Sequence, residues 1–455
     1  MAISESENRR SPLFAWIALA LAFIGAGSML YYHLVLFLPR AREVSAAKGL
    51  AGRLAFGDDF YPVWLTTRQS RLEHLDLYGS EMTRKIQTEL FGRPLDPNNP
   101  KDPPPDYRQF AYPAFTDLLF WPAAELPFTV VRIVLVVLLA TLTLMSVYLW
   151  LQALSLRPNW IWLTVIFLLT LCSYPVLEGL FADQLGLLVG FLLAASIWAL
   201  QRGRLLLAGT LAALATIKPQ MSLLVIIYLL VWSFHDWGSR RRFCIGFFTA
   251  TIVLSGAALI VWPHWIQSWV KVVLGYHHYA NAPIVIEVLG LQTKTGMAAV
   301  VSMGVLLALL APTPVLIWRN RGPEPGSKPF WLTLSLLLCV TTVALLPGQA
   351  VHDHVILLPG IFLLSSLRLR ASSRWVVRML LFLGIGILLW PWVASFGLIV
   401  LRPVISPERF YSKSIFALPL RTAAVFPFTV MALLVLARRG QHQDDIGTLS
   451  DLGRP

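Results

Sequence analysis

Residues 182–220 read ADQLGLLVGFLLAASIWALQRGRLLLAGTLAALATIKPQ. Two apolar runs, 184–200 and 205–217, flank the basic turn RGR at 202–204, and the second run ends at Lys218-Pro219. Apolar runs joined by a short arginine-bearing turn are typical of membrane-spanning helices whose connecting turn lies in the cytoplasm. This stretch therefore predicts a pair of helices that leave and re-enter one side of a bilayer.

The same pattern of apolar runs recurs along the chain. Hydrophobic residues make up 56% of the 455 residues and charged residues only 13%, whereas a soluble protein has roughly 25% charged residues. We predict an all-α polytopic membrane protein that crosses the bilayer about twelve times, since a span needs roughly 20 apolar residues. The predicted spans are 13–37, 127–153, 159–178, 184–200, 205–217, 221–234, 243–262, 296–318, 329–347, 355–367, 376–401 and 420–437.

Basic residues set the predicted orientation, because cytoplasmic loops carry an excess of Arg and Lys. With twelve crossings, the arginines at the span ends all fall on one side, which places both termini in the cytoplasm. The net charge of +13 is explained by these turns, so we expect no nucleic-acid partner. We expect one membrane domain over 1–437, with the long outer loops 38–126 and 263–295 forming part of the active site. The tail 438–455 is predicted to be disordered.

Two predicted spans, 205–217 and 221–234, are each too short to cross alone. We therefore expect their connection, Lys218-Pro219-Gln220, to be recessed into the membrane from the outer side. The short span 355–367 predicts the same for His352-Asp353-His354. Polar residues at such depths are costly and mark candidate sites.

The candidate site residues fall on the predicted outer side. A carboxylate can take a proton from an incoming hydroxyl, and cations can stabilise a departing phosphate. The candidates are Asp58, Asp59, Tyr61, Tyr112, Asp183, Gln184, Lys218, Gln220, Gln292, Lys294, His352 and His354.

Each candidate also has a structural interpretation. Asp58 and Asp59 could cap a helix that starts near Tyr61, and Lys218 could extend to the outer interface without a ligand. The two histidines of the 352–354 segment could belong to an interfacial loop. Their spacing and the absence of a nearby third ligand predict no metal, and the three cysteines lie inside apolar runs without metal-ligand spacing.

Several short motifs, taken in order, are similar to those of one enzyme family. They are GDDFYPVW at 57–64, Asp76-Leu77-Tyr78, FAYPAF at 110–115, the stretch 182–220, Leu291-Gln292-Thr293 and HDHVILLP at 352–359. In this set the chain resembles bacterial glycosyltransferase family 87, membrane enzymes of the GT-C class. It departs from the family pattern at Gly186, where the family often has Asn, and at Ala114, where a second Pro is common.

The resemblance implies a reaction and assigns roles. The donor would be a polyprenyl-phosphate sugar, with mannose favoured, the acceptor a glycolipid or glycan, and the surroundings the lipid of a bacterial inner membrane. Asp59, with Asp58 as its rival, would be the general base of an inverting transfer that uses no cofactor. Lys218, His352 and His354 would contact the phosphate, and Gln184 and Tyr112 would position substrate.

Two alternatives stay open from the sequence. A polytopic transporter or lipid flippase would also have many spans and intramembrane Lys and His residues, although the chain shows no paired repeats. A GT-C enzyme that uses another sugar, such as arabinose, fits the same motifs.

Overall fold

The computed structural model describes residues 12–47, 59–276, 281–291, 296–366 and 375–437. These residues form helices and connecting loops without a β-strand, apart from one isolated bridge between Pro283 and Pro347. The helices, in chain order, are α1 (Pro12–Tyr31), α2 (Leu38–Ala47), α3 (Tyr61–Leu72), α4 (Ser80–Phe91), α5 (Phe115–Phe120), α6 (Phe128–Ala153), α7 (Trp160–Leu171), α8 (Tyr174–Phe181), α9 (Leu185–Gln201), α10 (Leu205–Leu214), α11 (Pro219–His235), α12 (Trp237–Val261), α13 (Trp265–Gly275), α14 (Ile284–Val288), α15 (Gly296–Leu310), α16 (Pro312–Arg319), α17 (Lys328–Ala344), α18 (Leu358–Ser366), α19 (Trp375–Leu401), α20 (Pro407–Phe410), α21 (Lys413–Phe416) and α22 (Phe426–Ala437).

Tighter or wider helical turns join some of these helices. A π-helix, Tyr32–Phe37, continues α1 into α2. The 3₁₀ segments are Trp121–Glu125, Ala215–Ile217, Val351–Leu357 and Leu418–Leu420.

Within the described ranges, five helical segments are long and apolar enough to cross a membrane. They are Pro12–Val44, Phe128–Ala153, Trp237–Val261, Met297–Arg319 and Arg378–Leu401. At most a third of each span is buried in the protein, so most of their apolar side chains lie on the outer surface of the helices. The prediction of an all-α, membrane-integral protein is confirmed, whereas the twelve crossings and the loop layout stay predictions.

The predicted span 159–178 is broken in the structure. Helices α7 and α8 meet at a bend of 56°, and Ser173 between them has extended backbone, with ψ of 150°. Pro175 follows in the first turn of α8, where its missing N–H and fixed φ favour the start of a new helix. The bend carries the end of α8 toward the polar centre of the protein.

Helices α10 and α12 pack at backbone distance. A Cβ built on Gly209 would lie 2.1 Å from the Phe243 carbonyl oxygen, and one on Gly246 would lie 2.2 Å from the Leu206 carbonyl oxygen. Such reciprocal small-residue contacts let membrane helices approach closely. They hold α10 against α12 and so fix the position of Lys218, which follows α10.

Residues 59–127, which precede α6, are folded against the helices. Phe60, Ile86 and Phe110 are buried in their core, and the indole N–H of Trp269 on α13 donates to the Ala111 carbonyl at 3.0 Å. This bond ties the two outer loops of the predicted topology together above the membrane helices.

Candidate active site

A cavity of about 840 Å³ lies where the two loop segments meet the π-helix, α8, the start of α11 and the 3₁₀ segment Val351–Leu357. Its wall is mixed, with aromatic and aliphatic side chains surrounding a group of convergent polar residues. The polar residues on the wall are His33, Asp59, Tyr107, Arg108, Gln109, Tyr112, Glu178, Gln184, Lys218, Gln220, Tyr276, Asn281, Gln349, His352 and Asp353. A mostly apolar cavity with a few polar groups is the usual form of a ligand site.

Asp59 is held between a cation and an amide. One carboxylate oxygen pairs with Arg108, the other accepts from Gln184 Nε2 at 2.5 Å, and the Asp59 backbone N–H donates to the Ala182 carbonyl at 3.2 Å. Burial raises the pKa of Asp59, but Arg108, His352 and the Gln184 amide outweigh burial and hold that pKa below its usual range. Asp59 is therefore an ionised carboxylate on the cavity wall.

This arrangement decides against the capping interpretation of Asp59. Phe60, and not Asp59, occupies the N-cap position of α3, and no side chain caps that helix. The Asp59 carboxylate instead bonds to residues that lie 49 and 125 positions away in sequence.

Lys218 sits at the break between the 3₁₀ turn Ala215–Ile217 and α11, and it is buried. Its ammonium donates to both Asp353 oxygens at 2.7 and 2.9 Å and to Gln184 Oε1 at 3.0 Å, with His352 Nε2 at 3.4 Å. Lys218 is therefore an ion-paired internal cation and does not extend to an interface.

Gln184 connects the two charged pairs. Its amide nitrogen donates to Asp59 while its amide oxygen accepts from Lys218. A continuous polar chain thus runs from Arg108 through Asp59, Gln184 and Lys218 to Asp353. Bonds of this kind inside a protein polarise one another, so the chain acts as a unit.

Gly186 makes room for the end of this chain. A Cβ at position 186 would lie 2.2 Å from Asp353 Oδ1, well inside van der Waals contact. The departure from the family pattern at Gly186 therefore has a steric reason, because a larger residue would displace the carboxylate that pairs with Lys218.

The structure places the predicted site residues in three groups. Those on the cavity wall are Asp59, Tyr112, Gln184, Lys218, Gln220 and His352. Tyr61 and His354 do not line the cavity. The Tyr61 hydroxyl donates to Glu89 at 3.2 Å, and His354 is a buried residue of the 3₁₀ segment Val351–Leu357. Asp183 does not line the cavity either, and its buried carboxylate lies 3.6 Å from Arg132 Nε. Asp58, Gln292 and Lys294 lie outside the described residues.

Sequence reasoning missed several residues of the cavity wall. Arg108 stands just before the FAYPAF motif and so adjoins a recognised signal, whereas Asp353 was predicted within the His352-Asp353-His354 group without a role of its own. His33 is a polar residue inside an apolar span, which is itself a signal. Tyr276 begins a run of aromatic and histidine residues that is typical of an interfacial belt, and residues 277–279 of that run lie outside the described residues.

The helical membrane fold and this buried acid, amide and lysine chain define a membrane-integral protein with a mostly apolar cavity on which a few polar groups converge. The family model described as glycosyltransferase family 87 matches residues 110–347, just over half of the chain, and the chain belongs to that family. The protein is therefore a glycosyltransferase, which decides against the transporter and flippase alternative. No curated protein and no solved structure gives a significant match.

Proposed function

We propose that this glycosyltransferase moves a hexose, namely mannose, from a polyprenyl-phosphate donor to a glycolipid or glycan acceptor. The reaction would take place on the extracytoplasmic side of a bacterial inner membrane, with both termini of the chain in the cytoplasm. The observation that carries the proposal is the ionised Asp59 carboxylate on the wall of the cavity, linked through Gln184 to Lys218.

In the proposed reaction Asp59 is the general base. It takes the proton of the acceptor hydroxyl, whose oxygen then bonds to the anomeric carbon of the donor sugar. The bond from that carbon to the phosphate oxygen breaks, and its electron pair leaves with polyprenyl phosphate. Attack on the face opposite the phosphate inverts the anomeric configuration. Asp58 is the rival base.

The charges of the site suit this proton transfer. Arg108 and Lys218 are balanced by Asp59 and Asp353 before reaction. Once Asp59 is protonated, the positive charge of Arg108 is no longer neutralised, at the moment when the leaving phosphate gains negative charge. The base and the electrophilic stabilisation are therefore coupled through the Arg108–Asp59 pair.

The remaining residues take supporting roles in the proposal. Lys218 and His352 contact the phosphate, which replaces one of the oxygens now around the Lys218 ammonium. Gln184 and Tyr112 position substrate against Asp59. The chemistry draws on these side chains alone.

The test is sugar transfer by the purified protein in lipid nanodiscs. Wild type receives radiolabelled polyprenyl-phosphate mannose together with a lipid extract of the host. We expect label in a new lipid or glycan product, and loss of at least roughly a hundredfold in rate with Asp59→Asn, the range for removal of a general base. Asp96→Asn is the matched control, because Asp96 is an exposed carboxylate of the same loop.

Outcomes with other variants and donors separate the rival assignments. Unchanged turnover in Asp58→Asn and Asp59→Asn, alone and combined, would sink the base assignment. Transfer from the arabinose or glucose donor, without transfer from the mannose donor, would leave the mechanism as proposed and identify a different donor sugar.

A further inference from the structure

His33 lies in the π-helix that follows α1, and the residue is part of the cavity wall. The residue is only 2% exposed, and neither ring nitrogen has a hydrogen-bond partner within the described part of the chain. The Met29 carbonyl, one turn earlier, is close enough to influence the ring but lies outside hydrogen-bond geometry. A buried polar group without a partner is costly, and π-helical turns occur often at functional sites.

Aromatic rings surround His33. The imidazole stacks on Phe181 with centroids 5.8 Å apart and an angle of 20°, and the Phe37 and Tyr174 rings lie at 5.5 and 5.6 Å. Phe37 and Phe181 line the cavity with it. Packing therefore fixes the imidazole, and the ring is not held by any polar contact of its own.

This end of the cavity suits a neutral polyol better than an anion. A neutral imidazole offers one donor and one acceptor, the same pair that a sugar hydroxyl can satisfy. The Glu178 carboxylate, on the same helix as Phe181, also lines the cavity and would repel a phosphate. Phenyl faces suit the apolar C–H faces of a sugar ring.

The His33 end is adjacent to Asp59. The Ala182 carbonyl, one residue after Phe181, accepts the bond from the Asp59 backbone N–H. The backbone at Phe181-Ala182 therefore joins the His33 end of the cavity to Asp59, the residue that we assign as the base.

We propose that His33, Phe37 and Phe181 form a sugar-binding subsite in which the His33 imidazole hydrogen-bonds a hydroxyl of the donor hexose or of an acceptor sugar. His33 is a positioning residue that contacts substrate away from the reacting atoms. The subsite rests on the proposed transferase function for its place in the reaction, but its ligand chemistry can be tested without turnover.

The test compares wild type with His33→Phe and His33→Gln in nanodiscs. Tyr228→Phe is the control. It removes another buried polar group, a hydroxyl, that lacks a hydrogen-bond partner within the described residues. Equilibrium binding is measured with radiolabelled polyprenyl phosphate bearing mannose, glucose or arabinose, and with bare polyprenyl phosphate. The half-saturating amount of acceptor extract is measured separately by label transfer.

If the subsite holds the donor hexose, His33→Phe weakens binding of a sugar-bearing lipid by about tenfold, the effect of one lost hydrogen bond, and leaves bare polyprenyl phosphate unchanged. If it holds an acceptor sugar, donor binding is unchanged and half-saturation by the extract rises about tenfold. In either case His33→Gln retains most of the wild-type affinity and Tyr228→Phe changes neither quantity.

Equal lipid affinity and equal half-saturation by the acceptor extract in wild type and His33→Phe would overturn the proposal. A changed melting temperature as the sole effect would also overturn it, because that is the result expected of a histidine that only packs. A wild type that binds a sugar-bearing lipid through His33 but transfers no label would contradict the proposed function and leave the subsite standing.

Discussion

Gly186→Ala tests the polar chain of the site with one methyl group. The new Cβ would lie 2.2 Å from Asp353 Oδ1, about 1 Å closer than carbon and oxygen atoms tolerate. The Asp353 carboxylate must move by that amount, which lengthens its bonds to Lys218, now at 2.7 and 2.9 Å. Removal of one partner from a buried ion pair destabilises a protein by about 3–5 kcal/mol, and that figure is the upper limit for this displacement.

The assay is the thermal unfolding midpoint in nanodiscs together with the rate of label transfer. We expect Gly186→Ala to lower the midpoint by several degrees and to slow transfer by at least about tenfold, because the displaced carboxylate no longer fixes Lys218. Gly256→Ala is the matched control. Gly256 lies inside α12 with nothing within 4 Å of a built Cβ, so the alanine should be neutral or slightly stabilising.

A double variant isolates the contact. In an Asp353→Ala background the obstructing carboxylate is gone, so adding Gly186→Ala should have no further effect, which makes the two changes strongly non-additive. Equal midpoints and rates for Gly186→Ala and Gly256→Ala, or additive effects in the double variant, would refute the account of Gly186.

Three further changes test other parts of the structure. Arg108→Met removes the cation that lowers the pKa of Asp59, so the acidic limb of the pH–rate profile should move to higher pH, and a profile unaltered in position would contradict the pairing. Burial raises the pKa of Asp117 from 3.8 to about 7. Wild type should therefore lose stability as pH rises from 4 to 7, by ~4 kcal/mol at most, whereas Asp117→Asn should lose none of it, as thermal unfolding at pH 5 and pH 8 would show. Trp269→Phe removes the bond to Ala111 and should lower the free energy of unfolding by about 1 kcal/mol, seen as a slightly lower unfolding midpoint, while raising the donor KM. An unchanged unfolding midpoint and an unchanged donor KM would show that the Trp269–Ala111 bond does not hold the two loop segments together.

Several apolar helices could be predicted because a bilayer imposes length and composition on each segment, whereas the number of crossings stays a prediction. The predicted run 127–153 differs by one residue from α6, and 184–200 differs by one residue at each end from α9. The break at Ser173 was missed, since the apolar pattern continues through it. The local signal for this break is Tyr174-Pro175, because proline favours the first turn of a new helix.

The site was predicted in its residue types more than in its partners. Asp59, Gln184 and Lys218 carry motif signals, but Asp59 bonds to Gln184 across 125 residues and Lys218 to Asp353 across 135. Such pairings follow from how the helices pack, which periodicity does not encode. Arg108 could not be distinguished from a surface arginine, because its left-handed backbone, with φ of 68°, shows only in the fold.

The charge balance of the site explains why Asp353 belongs to it. Without Asp353, Lys218 would be a buried cation without its counter-ion, and its ammonium would no longer be held beside the Gln184 amide oxygen, which now accepts from it. Asp353 keeps the ammonium at that oxygen, so the Gln184 amide stays oriented with its nitrogen toward Asp59. The orientation of one amide thereby stabilises the ionised form of the proposed base. Gly186, by admitting Asp353, contributes to the protonation state of a carboxylate that it does not touch.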